Sequence, residues 1–85
     1  MHGGVLMSLA DTAGAYCAFL NLPEGSSSTA TIESKTNFFR AVSSGQVVAV
    51  SRPLHVGRTT IVVETDLFDD RDRRVARVTQ TQAVL

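Results

Sequence analysis

The chain holds a single cysteine, Cys17, which excludes an intrachain disulfide and suits a reducing, cytoplasmic compartment. No Cys/His spacing of the zinc type is present. Net charge is lacking as well. Eight basic and eight acidic residues balance, which argues against a general nucleic-acid footprint. Residues 1–4, Met-His-Gly-Gly, contain no lysine or arginine, so the basic opening of a signal peptide is missing. Charge is scarcest between Val5 and Pro23, where Asp11 stands alone. A membrane span drawn through this stretch would carry Asp11 at its middle, at a cost of about 2.5–3.5 kcal/mol, so no membrane partner is expected. Eighty-five residues make one domain at most, and so short a chain is marginal unless association adds burial.

What is present begins with that same stretch, HGGVLMSLADTAGAYCAFLNL. Val5, Leu6, Leu9, Ala10, Ala13, Tyr16, Cys17 and Leu20 recur at three- and four-residue steps, the period of a helix. Met7, Ala15, Ala18 and Phe19 fill most of the remaining circumference, which predicts a helix buried on all sides. Asn21 and Pro23 mark its end.

A carboxylate on a buried helix is costly unless bonded, and burial raises its pKa. Such groups cluster at functional sites, so Asp11 is the leading catalytic candidate. The plainer alternative is a carboxylate at a wet edge, bonded to Ser8 or Thr12. His2-Gly3-Gly4 is the second element. N–H groups at a helix start favour negative charge, and glycine permits close approach, as an oxyanion hole requires. Gly3 and Asp11 are eight residues apart, about 12 Å along one helix. They cannot both touch one carbonyl carbon, which implies a symmetric dimer with shared sites.

After the polar loop Pro23–Ser28, alternation predicts strands over Thr29–Ala41, Gln46–Val56, Thr59–Phe68 and Arg73–Leu85. The first alternates imperfectly, as if both its faces were partly covered. Pro53 marks the second as an edge strand or the site of a bulge. Short links, including the turns Ser43-Ser44-Gly45 and Asp69-Asp70-Arg71-Asp72, predict an antiparallel meander of the last three strands. The fold class expected is α+β, an antiparallel sheet wrapped on one long helix.

The run HGGVLMSLADTAG, then NFFR, PLHVGR and the final RVARVTQTQAVL, resembles the hotdog-fold thioesterases, nearest to the PaaI-like (phenylacetate-degradation type) acyl-CoA thioesterases. The resemblance spans essentially the whole chain. It implies a curled sheet around a central helix, two subunits joining their sheets, and dimers pairing into tetramers. It implies hydrolysis of acyl-CoA, with an aromatic acyl group, and with no metal or cofactor beyond the coenzyme A of the substrate. By position, Gly3 matches the glycine whose N–H polarises the thioester carbonyl, His2 the histidine beside it, and Asp11 the catalytic carboxylate, nucleophile or general base. His55, Gly57 and Arg58 match the segment that lies along coenzyme A.

Two departures bear on these expectations. The family carries more chain before the HGG run, so the usual first strand is expected to be missing. Ala15 stands where some relatives carry a hydroxyl. Two other functions fit the same fold: a non-catalytic acyl-CoA or acyl-carrier binding module, and a hydratase. The hydratase needs a histidine where this chain has Tyr16. Cys17 is expected to be a small core residue, Tyr16 a core or acyl-pocket residue, and residues 69–74 a solvated turn.

Overall fold

A computed structural model describes residues 3–42 and 45–85. Among them, one helix, α1 (Gly3–Leu20), precedes four strands: β1 (Thr29–Phe38), β2 (Val48–Val56), β3 (Thr60–Phe68) and β4 (Arg74–Val84). The strands form one sheet in the order β1-β4-β3-β2, antiparallel throughout. The expected meander is therefore β2-β3-β4, and β1 closes on the far side of β4. Of the predicted Ser43-Ser44-Gly45 turn, the two serines lie outside the described residues. Gly45 has φ +92, a region that favours glycine.

Pro53 has the place its chemistry requires. It lies on β2, at the edge of the sheet, and the register slips between Pro53 and His55. At the other edge β1 is exposed along most of its length, on both faces. The partial covering expected for it is not found: among the described residues β4 is its one strand neighbour, and the helix approaches it at its Ser34–Phe38 end.

The helix departs from expectation in the same way. By length and composition α1 could cross a membrane, yet a stripe of it is docked on the sheet. Its buried residues are Leu6, Ala10, Gly14 and Ala18, one every fourth position. The large side chains Val5, Met7, Tyr16, Phe19 and Leu20 are exposed. A single sheet covers one side of a helix, and the covered side here carries the small residues, which lets the helix lie close. Asn21 ends α1, its amide Nδ2 donating to the Cys17 carbonyl at 2.8 Å.

The core between helix and sheet is split. One cluster joins Leu6 and Ala10 to Val42, Leu67, Val75, Ala76 and Val78. A second joins Ala18 to Ile61 and Val63, with Cys17, Leu22 and Val84 against it. Between them lies a buried polar waist: Thr65, Gln80 and Gln82 from the sheet, and Gly14 from the helix. Strand register puts Ile61, Val63, Thr65 and Leu67 opposite Gln82, Gln80, Val78 and Ala76 on this helix-facing side.

The opposite side of the sheet is charged. Arg52 pairs with Glu64, Arg77 with both Glu64 (3.4 Å) and Asp66 (2.8 Å), and Arg74 reaches Asp66 at 3.8 Å. The Arg77 hydrogen bond holds the Asp66 carboxyl below the usual carboxylate range. At the β3–β4 turn Asp69 is buried rather than solvated, and it organises the chain around it. Its Oδ1 accepts the N–H of Arg71 (3.0 Å) and of Arg73 (2.9 Å), and its Oδ2 accepts Arg73 Nε (2.9 Å).

Candidate active site

No acidic residue stands in the first turn of α1, so its own side chains leave the positive end of the helix dipole uncompensated. Gly3 is there, over the ring of Phe38 at the end of β1. A Cβ on Gly3 would sit 3.6 Å from Phe38 Cζ. The two line a hollow of about 430 Å³ with Leu6, Phe39, Arg40 and Val42. Position alone leaves the Gly3 N–H without an intrahelical acceptor. His2, the other residue expected at this end, lies outside the described residues.

Two turns further on, Asp11 is exposed, not buried. The expectation of a desolvated carboxylate is corrected here, and the cause is the one-sided covering of α1. Asp11 borders a second hollow of about 270 Å³ with Met7, Ser8, Ser34, Thr36 and Val78. Ser8, the suggested partner of Asp11, donates its hydroxyl to the Gly4 carbonyl at 3.0 Å. Ser34, Thr36 and Phe38 share one face of β1, so Gly3 and Asp11 both look along the same edge of the sheet. Rise along the helix still separates them by about 12 Å.

His55, Gly57 and Arg58 are elsewhere. They follow the bulge at the end of β2, the strand farthest from β1. His55 pairs with Val62, on the side of the sheet away from α1. The Gly57 N–H donates to the Thr60 carbonyl at 2.9 Å and closes a tight turn. A Cβ on Gly57 would lie 2.8 Å from His55 Nε2, so the exposed ring would have to swing aside, and 3.1 Å from that carbonyl, a tight fit in the turn. Arg58 is exposed. One chain therefore brings Gly3 and Asp11 to one edge and the 55–58 segment to another, and unites the three in no single cleft.

The remaining candidates separate plainly. Burial pushes the Cys17 thiol up, which makes it a poor nucleophile and fits its place beside the second core cluster. Tyr16 is 62% exposed and packs in neither cluster. No group of three or more His, Cys, Asp or Glu able to hold a metal ion occurs among the described residues. Ser34, Thr36 and Val78, which line the Asp11 hollow, were not singled out in the sequence. Strand alternation gives Ser34 and Thr36 a common face, but not which helical residue would meet it.

A model of the thioesterase superfamily matches residues 1–76. The proofreading thioesterase EntH of Cronobacter sakazakii is 35% identical over 85 residues, a match that takes in 100% of this chain and 61% of EntH. The structure of thioesterase HI1161 from Haemophilus influenzae superposes with a TM-score of 0.93 at 30% identity, covering 100% of this chain and 59% of that one. The BH2602 protein from Bacillus halodurans, solved with CoA, gives 0.91 at 32% identity, covering 100% and 56%. The chain spans about three fifths of the length of these relatives.

Proposed function

The chain belongs to the thioesterase superfamily, and on that premise we propose that it hydrolyses the thioester of an acyl-CoA to the free acid and CoA. One observation carries the proposal. The single carboxylate of α1, Asp11, stands exposed at a hollow beside β1, eight residues from Gly3 at the start of a helix whose first turn carries no acidic residue. A carboxylate and the N–H of a helix start are the two groups that acyl transfer needs. One attacks the carbonyl carbon or takes a proton from the attacking water, and the other stabilises the oxyanion that forms. The sulfur then leaves as the CoA thiol, and water supplies the oxygen of the product acid. As written, the chemistry draws on a carboxylate, backbone N–H groups and water, and coenzyme A enters as part of the substrate.

The 12 Å between Gly3 and Asp11 makes the site a shared one. The thioester carbonyl meets the Gly3 N–H of one protomer, and Asp11 of a second protomer completes the site; His2 is assigned to the same site on the family resemblance alone. The exposed apolar side chains of α1 (Val5 at 57%, Tyr16 at 62%, Phe19 at 52%) support this reading, since a second copy would cover them. A tetramer follows if two such dimers pair. Sharing also answers the distance between Asp11 and the 55–58 segment. His55, Gly57 and Arg58 of one protomer can hold the CoA moiety for a site completed by another, with Arg58 pairing to phosphate. We assign an aromatic acyl group on the family resemblance.

Free-thiol release from a panel of aromatic and aliphatic acyl-CoAs tests the proposal, run on this chain and on Asp11→Asn. Turnover is expected to fall by about 10²-fold or more in the variant, while CoA binding persists. Equal rates in the two proteins would remove Asp11 from the mechanism. CoA binding without turnover in either would make the chain a binding module.

A further inference from the structure

Gln80 and Gln82 are fully buried, with relative exposures of 0% and 1%, on the helix-facing side of β4 between Val78 and Val84. Their amides form a directed chain. Gln80 Nε2 donates to the Ala10 carbonyl at 3.2 Å and lies 3.5 Å from the Asp11 carbonyl. Gln82 Nε2 donates to Gln80 Oε1 at 2.8 Å and to Thr31 Oγ1 at 2.8 Å. The orientation is forced. A carbonyl only accepts, so Gln80 must turn its NH₂ to the helix and its oxygen to Gln82, which must then donate. Gly14 makes room for this. A Cβ there would lie 2.7 Å from Gln80 Nε2 and 2.8 Å from Cδ, so the amide lies flat against the helix backbone.

A pair of leucines would fill this space without the cost of dehydrating two amides. The contact around it suggests what the amides add. Leu6 anchors the first turn in the core, but beyond it Ala10, Gly14 and Ala18 continue the buried row with no large side chain to interlock with the sheet. That part of the row, which includes the turn bearing Asp11, resists sliding and rotation poorly. A shift of one residue turns the helix by about 100° and carries Asp11 away from its hollow. We propose that Gln80 is a positioning residue: by binding the carbonyls of Ala10 and Asp11 it fixes the rotation and depth of the turn that carries the Asp11 carboxylate. Gly14 is its receptor, and Gln82 and Thr31 hold its far end. The inference rests on the catalytic reading of Asp11, and it adds a residue from the opposite end of the chain.

Two variants test it. Gln80→Met keeps length and loses the amide. It is expected to bind CoA within about twofold of the parent and to leave KM nearly unchanged, while kcat falls about tenfold or more. Gln80→Glu can donate to the helix carbonyl only when protonated. Its kcat relative to the parent is expected to rise as pH is lowered, while the Gln80→Met ratio stays flat. If Gln80→Met does not fold, the pH dependence of the Gln80→Glu ratio decides. A folded Gln80→Met with kcat within twofold of the parent, or a Gln80→Glu ratio independent of pH, would overturn the assignment. Amide hydrogen exchange separates this failure from failure of the catalytic reading. The Gly14 and Ala15 N–H groups bond the Ala10 and Asp11 carbonyls within the helix. Should the parent cleave no acyl-CoA, faster exchange at those two amides in either variant, relative to the rest of α1, still supports positioning. Unchanged exchange refutes it.

Discussion

Gly14→Ala opposes two physical effects of different sign, and so decides between them. Glycine inside a helix costs about 1 kcal/mol relative to alanine, so helix propensity alone predicts a more stable protein. The structure predicts the reverse. A methyl at Gly14 would stand 2.7, 2.8 and 2.9 Å from the three outer atoms of the Gln80 amide. The amide cannot stay, and its displacement breaks the 3.2 Å bond to the Ala10 carbonyl and loosens the 2.8 Å link to Gln82. Leaving a buried amide without its partner costs about 1–3 kcal/mol, and forcing an extra methyl into a packed core costs about 1–3 kcal/mol more. Set against the propensity gain, the net loss is about 3 kcal/mol. For a chain of 85 residues this lowers Tm by about 12–24 °C. Thermal unfolding followed by circular dichroism, at one fixed protein concentration because association shifts Tm, is the assay. The same substitution in a Gln80→Ala background removes the obstacle, and there Gly14→Ala should stabilise. A single variant as stable as the parent would refute the account of the polar waist.

Two further predictions follow from the charged groups. Hydrogen bonds from the Arg73 backbone, with those of Arg71 and the Arg73 side chain, hold the Asp69 carboxyl below its ordinary range, and Arg77 does the same for Asp66. A depressed carboxyl stabilises the fold above its unfolded pKa and loses that contribution as pH falls through the folded one, so acid unfolding should set in below about pH 4. In Asp69→Asn the side-chain oxygen still accepts the two backbone N–H groups while the charge is gone. Its stability should therefore be lower at neutral pH and flatter through the acid limb, which a series of denaturant titrations against pH would show. Arg58→Ala is expected to raise KM for an acyl-CoA about tenfold with kcat within twofold, the loss of one charge-assisted contact to phosphate. A short thioester lacking the nucleotide should show no such change, and equal losses on both substrates would refute phosphate pairing.

The four strands were legible because alternation and turn residues act locally. Predicted bounds differ from the observed ones by at most three residues, as where Thr29–Ala41 becomes Thr29–Phe38. Pro53 gave both the edge and the bulge, since a missing N–H has few other places in a sheet. Coverage was not legible. Tyr16 and Phe19 are apolar, and apolarity says that a side chain gains from burial, but not whether its own chain supplies the cover. The same gap misplaced Asp11, whose neighbours in sequence are apolar and whose neighbours in space are solvent, Ser34 and Thr36.

Gln80 was missed for a complementary reason. Glutamine is read as a surface residue, and in the run Val78-Thr79-Gln80-Thr81-Gln82-Ala83-Val84 residue type draws attention to the valines. Parity contradicts that habit. Val78, Gln80, Gln82 and Val84 must share one face of a strand, and if the valines face the helix then the glutamines do too. A buried amide needs a partner fixed in space. On a strand that packs against a helix whose stripe is alanine and glycine, backbone carbonyls are the exposed acceptors within reach. Taken together, small helical residues opposite core-parity glutamines describe a backbone-to-amide contact before any coordinates are drawn. The contact falls on the turn that carries the single carboxylate of the helix. The elements that fix the fold and those that aim the candidate chemistry thus meet at Gly14. A substitution made there to improve the helix would disturb both.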